Sequence, residues 1–320
     1  MNILPPRPLA AYETEPFLTL TDDQLHAIVD RHDLAVRGEI APMPSNGVVH
    51  ALWSLGDDYV LRVPKAEALC LGDLHAEVVA IPIARAAGVR TPDLIGFDDT
   101  ADLVEVPYTI VERVHGVDLA RRPPDDPANP DLYRQLGLQL ATLHRAPKPE
   151  PHPWLRPPES RDVDELLAES VNAGMLSADV AQWFASVLAS IEPSPGGRIP
   201  SCFLHNDVKP DNVMLDNGGQ VVLIDWGDAT IGDPALDLAC LPAAAIADTL
   251  AGYREIFPPG EDPTLERRVA RTAITNAIAG LRRSPALGPS WYRPLATGVA
   301  DLLGFATDQP DVWRGWLGRA

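Results

Sequence analysis

The sequence changes texture at Gly116, and this change limits the fold more than any other feature. Ahead of it, short apolar runs at 48–55, 59–63, 103–106 and 108–114 have the spacing of β-strands. The turn Gly56-Asp57-Asp58 would join the first two. Residues 1–20 read as an extended arm. Thr21 with Gln24 three positions on has the form of a capping box, opening a helix that carries Leu25, Ile28 and Val29. A second helix is expected from about 73 to 87, with Pro82 kinking or breaking it. Beyond Gly116 the period becomes helical, as in Leu132, Leu136, Leu140 and Leu143. Further helices are expected at 162–173, 178–190, 239–256, 263–283 and 290–306, with Pro-rich loops at 120–130 and 147–158. The 33 prolines keep helices short and loops frequent. The expected class is therefore α+β: a small β-rich N-terminal part over 1–115 and a larger, mainly helical part over 116–320.

A formal net charge of −19 argues against a nucleic-acid partner, which needs a basic face, and against an anionic membrane surface. A cationic small molecule or a metal cation suits this field better. The acidity is not concentrated in the helical part: residues 1–115 hold 18 acidic against 8 basic residues, and residues 116–320 hold 27 against 18. The longest apolar stretch, 238–247, is too short to span a bilayer and is interrupted by Pro242. The first ten residues are Pro-rich and lack the pattern of a signal peptide. Cys70, Cys202 and Cys240 form no CxxC pair, so neither a disulfide framework nor a zinc knuckle is supported, and a reducing cytoplasm is the simplest setting.

One β-rich island, 202–225, interrupts the helical part. Its first apolar run ends at His205; Asp207 and Asn212 follow, five apart, and a second run delivers Asp225 with Trp226-Gly227 behind it. Asn212 and Asp225, at the ends of short strands, could converge on one Mg²⁺ whose shell phosphate oxygens complete. Asp207 would then accept a proton from a hydroxyl nucleophile. That division of labour is what phosphoryl transfer requires. Single Asp, Asn and Gly residues here could equally make turns, as Asn217-Gly218-Gly219 does; the joint pattern carries the argument.

His205-Asn-Asp-Val-Lys-Pro-Asp-Asn212, followed by Ile224-Asp225-Trp226, resembles the catalytic and metal loops of the aminoglycoside phosphotransferase family, small-molecule kinases with a protein-kinase-like two-lobed fold. Gly232-Asp233-Pro234-Ala-Leu-Asp237-Leu-Ala resembles a further segment of that family. The resemblance implies a nucleotide-binding lobe over 1–115 and a catalytic, acceptor-binding lobe over 116–320. It implies Asp207 as catalytic base, Asn212 and Asp225 as Mg²⁺ ligands, His205 as a brace of the loop, and Asp237 as an acceptor for the loop backbone. Asp233 is either part of this machinery or a helix cap. Lys209 can offset γ-phosphate charge or stand in solvent; antibiotic kinases often carry another residue there.

In the first part, Ser45-Asn46-Gly47-Val-Val-His50 resembles the family's phosphate-covering loop, although a simple hairpin turn reads the same way. Arg62 stands where most kinase-like folds carry Lys and is preferred to Lys65, which Pro64 places past the strand. Glu77 would pair with Arg62 from the next helix. Glu112 and Val114 resemble the hinge, whose backbone would meet the adenine. The implied co-substrates are ATP or GTP with Mg²⁺, and the implied acceptor is a small hydroxylated molecule, an aminoglycoside-like cation among the candidates. A choline, sugar or amino-alcohol kinase and a nucleotide-binding pseudokinase are the alternatives; Arg62 in place of Lys is the one departure favouring the last. Asp228, Glu255, Glu261 and Asp262 are candidate acidic contacts for an amine or surface charges.

Overall fold

The computed structural model describes residues 16–44, 49–123, 125–158, 162–191 and 199–281. Along the chain they form α1 (Asp22–Arg31), β1 (Ile40–Pro42), β2 (His50–Leu55), β3 (Tyr59–Pro64), α2 (Ala68–Ala86), β4 (Leu94–Asp98), β5 (Tyr108–Glu112) and β6 (Gly116–Asp118). There follow α3 (Asn129–Arg145), α4 (Val163–Asn172), α5 (Ala178–Ser190), β7 (Cys202–Leu204), β8 (Val213–Asp216), β9 (Val221–Leu223), β10 (Thr230–Gly232), α6 (Ala235–Ala239), α7 (Ala243–Ile256) and α8 (Leu265–Gly280). The chain divides into two compact units. The first comprises Met1–Val117, Pro149–Arg156 and Met214–Ala229; the second comprises Asp118–Lys148, Pro157–Val213 and Thr230–Ala320.

The first unit is built on an antiparallel sheet of order β1-β2-β3-β5-β4. Trp53, Leu61 and Ile110 stand opposite one another across β2, β3 and β5. With Leu55, Val63 and Tyr108 they bury one sheet face in a core shared with Leu25 and Ile28 of α1. Burying each such side chain stabilises the unit by roughly 1.5–3 kcal/mol. Strand alternation sends His50, Leu52, Arg62 and Thr109 to the other face. The capping box of α1 forms: Thr21 Oγ1 accepts from the Gln24 amide at 3.2 Å, and Gln24 Oε1 accepts from the Thr21 amide at 3.0 Å.

Two expectations for this unit fail. Residues 103–106 are not a strand; the partner of β5 is β4, earlier in the chain. The alternation at 103–106 is genuine burial, since Val104 and Val106 enter the core, but no ladder accompanies it. Pro82 does not break α2, which runs unbroken from Ala68 to Ala86. Pro82 lies on an exposed face, where water can serve the carbonyl its missing N–H leaves. Gly116, at the change of texture, has a packing reason: a Cβ there would lie 2.0 Å from the Leu215 carbonyl oxygen.

In the second unit α3 and α7 pack through reciprocal glycine notches. A Cβ on Gly137 would lie 1.9 Å from the Thr249 carbonyl oxygen, and one on Gly252 would lie 2.0 Å from that of Arg134. The leucines read at helical spacing, Leu132, Leu136, Leu140 and Leu143, are all buried. The helix expected over 239–256 begins at Ala243 because Pro242 separates it from the short α6. The two-stranded sheet β7–β10 pairs Cys202 with Gly232 and Leu204 with Thr230, and His205, which follows β7, is tied to α6 by the Asp237 side chain. The helix expected at 290–306 lies outside the described residues.

Candidate active site

The loop after β7 is fixed by one buried carboxylate. Asp237, in α6 and fully buried, accepts from the His205 amide at 3.0 Å and the Asn206 amide at 2.5 Å. It also accepts from Nε2 of the buried His144 in α3, at 2.9 Å. Because Nε2–H donates to Asp237, Nδ1 of His144 accepts from the Tyr253 hydroxyl, 3.0 Å away in α7. Burial raises the pKa of Tyr253, which keeps its proton. Three helices therefore converge on one loop. Asn206 stands at φ +65°, in the left-handed region that Asn tolerates better than most residues.

Asp207 follows. Its Oδ2 accepts from Lys209 Nζ at 2.6 Å and from Asn212 Nδ2 at 2.7 Å. A second Asn212 Nδ2 bond, 3.0 Å, goes to the Asp207 carbonyl. His205, fully buried, accepts from the Asp207 amide on Nδ1 at 3.3 Å. The carboxylate is partly exposed, its side chain 28% accessible, so a ligand can reach it. With both Nδ2 hydrogens of Asn212 directed at Asp207, Oδ1 is left as its oxygen donor.

A second cluster lies in the first unit. Nη2 of Arg62, on β3, meets Glu77 Oε1 of α2 at 2.7 Å, Asp225 Oδ1 at 2.9 Å and His50 Nδ1 of β2 at 3.2 Å. Burial opposes the Arg62 charge, but the carboxylates of Glu77 and Asp225 outweigh it and hold the guanidinium protonated. Burial pushes the Glu77 carboxyl up, and the attraction of Arg62 opposes that rise. Burial, and then the Arg62 charge, push His50 down to about 3, so its ring is neutral. Asp225 stands at φ +68° and its side chain is 41% exposed. It is anchored by the fully buried Trp226, whose Nε1–H donates to Thr91 Oγ1 at 2.8 Å.

Arg62 and Glu77 thus meet as their spacing implies, while Lys65 turns elsewhere and lies over the Phe17 ring, 4.8 Å from its centroid. The amides of Glu112 and Arg113 bond the carbonyls of Asp93 and Asp58, whereas the Val114 amide makes no hydrogen bond among the described residues. Ser45, Asn46 and Gly47 lie outside the described residues. Asp233 caps α6, accepting from the Ala235 amide at 2.9 Å, and receives the Arg268 fork at 2.8 and 3.1 Å. Glu255, Glu261 and Asp262 pair with Arg134, Arg145 and Arg268. Sequence reasoning missed His144, Tyr253 and His50 as site residues. Only His144 carries a local signal, a polar residue ending the Leu132–Leu143 core stripe.

A mixed sheet-and-helix chain with a carboxylate loop after one short strand and an Asp-Trp-Gly turn after another belongs to the class of kinase-like phosphotransferases. The phosphotransferase enzyme family model, APH, matches residues 45–296, and the chain belongs to this family. It is a phosphotransferase of the class that uses an alcohol group as acceptor. No curated protein sequence matches it. Among solved structures, the GDP complex of an aminoglycoside 2′-phosphotransferase, type IIIa, is 20% identical, with 88% of this chain and 98% of that one covered at a TM-score of 0.59. A choline/ethanolamine kinase family protein from Mesorhizobium loti is 16% identical, with 92% and 98% covered at 0.60. A macrolide 2′-phosphotransferase from Brachybacterium faecium is 18% identical, with 93% and 98% covered at 0.57. The fold is that of the protein-kinase-like small-molecule kinases. Among the described residues no helix is long and apolar enough to cross a membrane.

Proposed function

We propose that this phosphotransferase moves the γ-phosphoryl group of ATP or GTP onto a hydroxyl of a small polar acceptor, with Asp207 as the base. The observation that carries the reading is Asp207 itself: a partly exposed carboxylate oriented by an ammonium at 2.6 Å and an amide at 2.7 Å, on a loop pinned from a buried helix. In that setting Asp207 accepts the acceptor's hydroxyl proton as the oxygen attacks the γ-phosphorus, and Lys209 offsets charge on the transferred group. His205 and Asp237 keep the loop in place. Arg62, held by Glu77, meets the α- and β-phosphates as a fixed cationic fork. Ser45, Asn46 and Gly47 cover the phosphates, and the backbone at Glu112 and Val114 receives the adenine or guanine ring.

Asn212 and Asp225 suit Mg²⁺ by donor chemistry, since each offers an oxygen, and the Asp225 side chain is 41% exposed. Bound there, the metal would neutralise phosphate charge. The assignment rests on the motif and on the local geometry of each residue. Residues 1–115 serve as nucleotide lobe and residues 116–320 as catalytic and acceptor lobe. A reducing, cytoplasmic setting suits three cysteines that form no disulfide with one another.

The acceptor is an aminoglycoside-like polyol or a smaller amino-alcohol. The neighbours named for aminoglycosides and for choline or ethanolamine share this fold equally well. A coupled nucleoside-diphosphate release assay with ATP and GTP, run over aminoglycosides, macrolides, choline, ethanolamine and sugars, is expected to show turnover with one acceptor group. Asp207→Asn should abolish it while nucleotide binding persists. Equal turnover by Asp207→Asn would remove the assigned base. Nucleotide binding without turnover on any acceptor would favour a regulatory pseudokinase.

A further inference from the structure

Arg62 Nη2 carries two hydrogens and faces three acceptors, Glu77 Oε1 at 2.7 Å, Asp225 Oδ1 at 2.9 Å and His50 Nδ1 at 3.2 Å. One of the three bonds is therefore weak, and the longest goes to His50. An arginine only donates, so Nδ1 is the unprotonated nitrogen of His50 and the proton sits on Nε2. The imidazole is 6% exposed, stacked into β2 on the face that Arg62 shares, and packing leaves it little freedom. Among the described residues, the buried His50 Nε2, Arg62 Nε and Glu77 Oε2 make no hydrogen bond. Buried orphans of this kind are rare and call for an explanation. They mark the polar cluster around Arg62 as incompletely satisfied, and the over-shared Nη2 is the point at which its bonds can be redistributed.

We infer that His50 is a positioning residue for the nucleotide-binding cation: it is the standby acceptor that holds the Arg62 guanidinium when Asp225 is taken up by a cation of its own. The inference rests on the proposed nucleotide site. When Asp225 turns from Arg62, the Nη2 hydrogen it held passes to His50 Nδ1, and the guanidinium stays between Glu77 and His50, its remaining N–H groups facing the phosphates. A lysine at position 62 would not need this arrangement, because its three ammonium hydrogens rotate freely to whichever acceptors are near. His50 and Arg62 thus form a matched pair, and the departure from the family's usual lysine is complemented on the neighbouring strand.

A double-mutant cycle on the full chain tests this, with Mg²⁺-nucleotide affinity read by displacement of a fluorescent nucleotide analogue, and with thermal unfolding and steady-state kinetics alongside. His50→Leu is expected to weaken nucleotide binding about tenfold, the scale of one hydrogen bond to a charged group. It should raise KM for nucleotide more than it lowers kcat. His50→Asn, whose Oδ1 can stand near the place of Nδ1, is expected to stay within about threefold of wild type. In an Arg62→Lys background the His50→Leu effect should shrink below about twofold, because the coupling is lost. Equal loss from His50→Leu in both backgrounds, or an unfolding shift with no change in nucleotide affinity, overturns the inference and leaves a packing role. If wild type binds neither ATP nor GTP, the proposed function fails instead.

Discussion

Replacing Asp237 by Ala removes the acceptor of three donors in a place that water does not reach. The His205 and Asn206 amides, at 3.0 and 2.5 Å, and His144 Nε2, at 2.9 Å, would all lose their partner. Each buried donor left without a partner costs about 1–3 kcal/mol. Relaxation of the loop lets one amide find solvent, so the net loss should be about 4 kcal/mol. For a unit of this size about 1 kcal/mol moves Tm by roughly 2–4 °C, which places the Ala variant about 10 °C below wild type. Asp237→Asn keeps one acceptor oxygen but directs an NH₂ at a donor, and should lose about half as much. The functional loss should be larger than the stability loss suggests. Asn206 sits at φ +65° under the hold of Asp237, and Asp207 is the next residue. A displacement of about 1 Å there costs on the order of 100-fold in rate. The assay pairs thermal unfolding by circular dichroism with kcat measured well below both transitions. A Tm within about 2 °C of wild type would refute the energetic argument. Full kcat in a destabilised but folded variant would refute the positioning argument.

Gly137→Ala places a Cβ 1.9 Å from the Thr249 carbonyl oxygen and 2.8 Å from the Tyr253 amide nitrogen, both backbone atoms. Moving α7 away should cost at least about 1–3 kcal/mol, seen as a fall in Tm, whereas Gly280→Ala, with nothing within 4 Å, should be neutral or slightly stabilising. Asp98 provides a pH test. Burial opposes its charge, but bonds from Thr100, Arg31 and Tyr108 prevail and hold its pKa at about 2, below the ordinary 3.8. A depressed carboxylate pKa gives stability that is complete above about 4 and is lost as pH falls through about 2. The Tm of Asp98→Asn should therefore be lower than wild type at pH 7 and should change less between pH 4 and 2; parallel pH profiles would refute this.

What the sequence makes legible here is what neighbouring residues decide among themselves. The capping box at Thr21 and Gln24 closes as written, and α5 spans residues 178–190 as its apolar spacing implies. Arg62 and Glu77 meet because one is strand-borne and the other lies on the next helix, fifteen residues on. The strand β4 was illegible for a physical reason. It carries a bulge between Leu94 and Gly96, and a Cβ on Gly96 would lie 2.6 Å from His32 Nδ1. A glycine required by a distant ring looks, in sequence, like a strand breaker. The partners of His144 were illegible because Asp237 and Tyr253 lie 93 and 109 residues away, and spacing carries no information at that range.

The acidity of the stretch 201–237 shows how far a local count can mislead about partners. Seven Asp and one Lys suggest a surface that attracts cations. Yet Asp237 answers to the loop backbone, Asp233 to Arg268, Asp216 to the amides of Gly218 and Gln220, Asp207 to Lys209 and Asn212, and Asp225 to Arg62. These carboxylates fix backbone turns and neighbouring side chains, each with its donor already in place. Of the five, Asp225 and Asp207 have the most exposed side chains among those in ion pairs, 41% and 28% accessible, so a ligand could compete for their donors. A cationic acceptor would therefore find no general acidic field in this stretch, and its affinity must come from residues that a charge count does not single out. This is why Asp207 substitutions should change transfer and Asp225 substitutions nucleotide binding, whereas salt should weaken acceptor affinity only as far as individual ion pairs with the acceptor are screened.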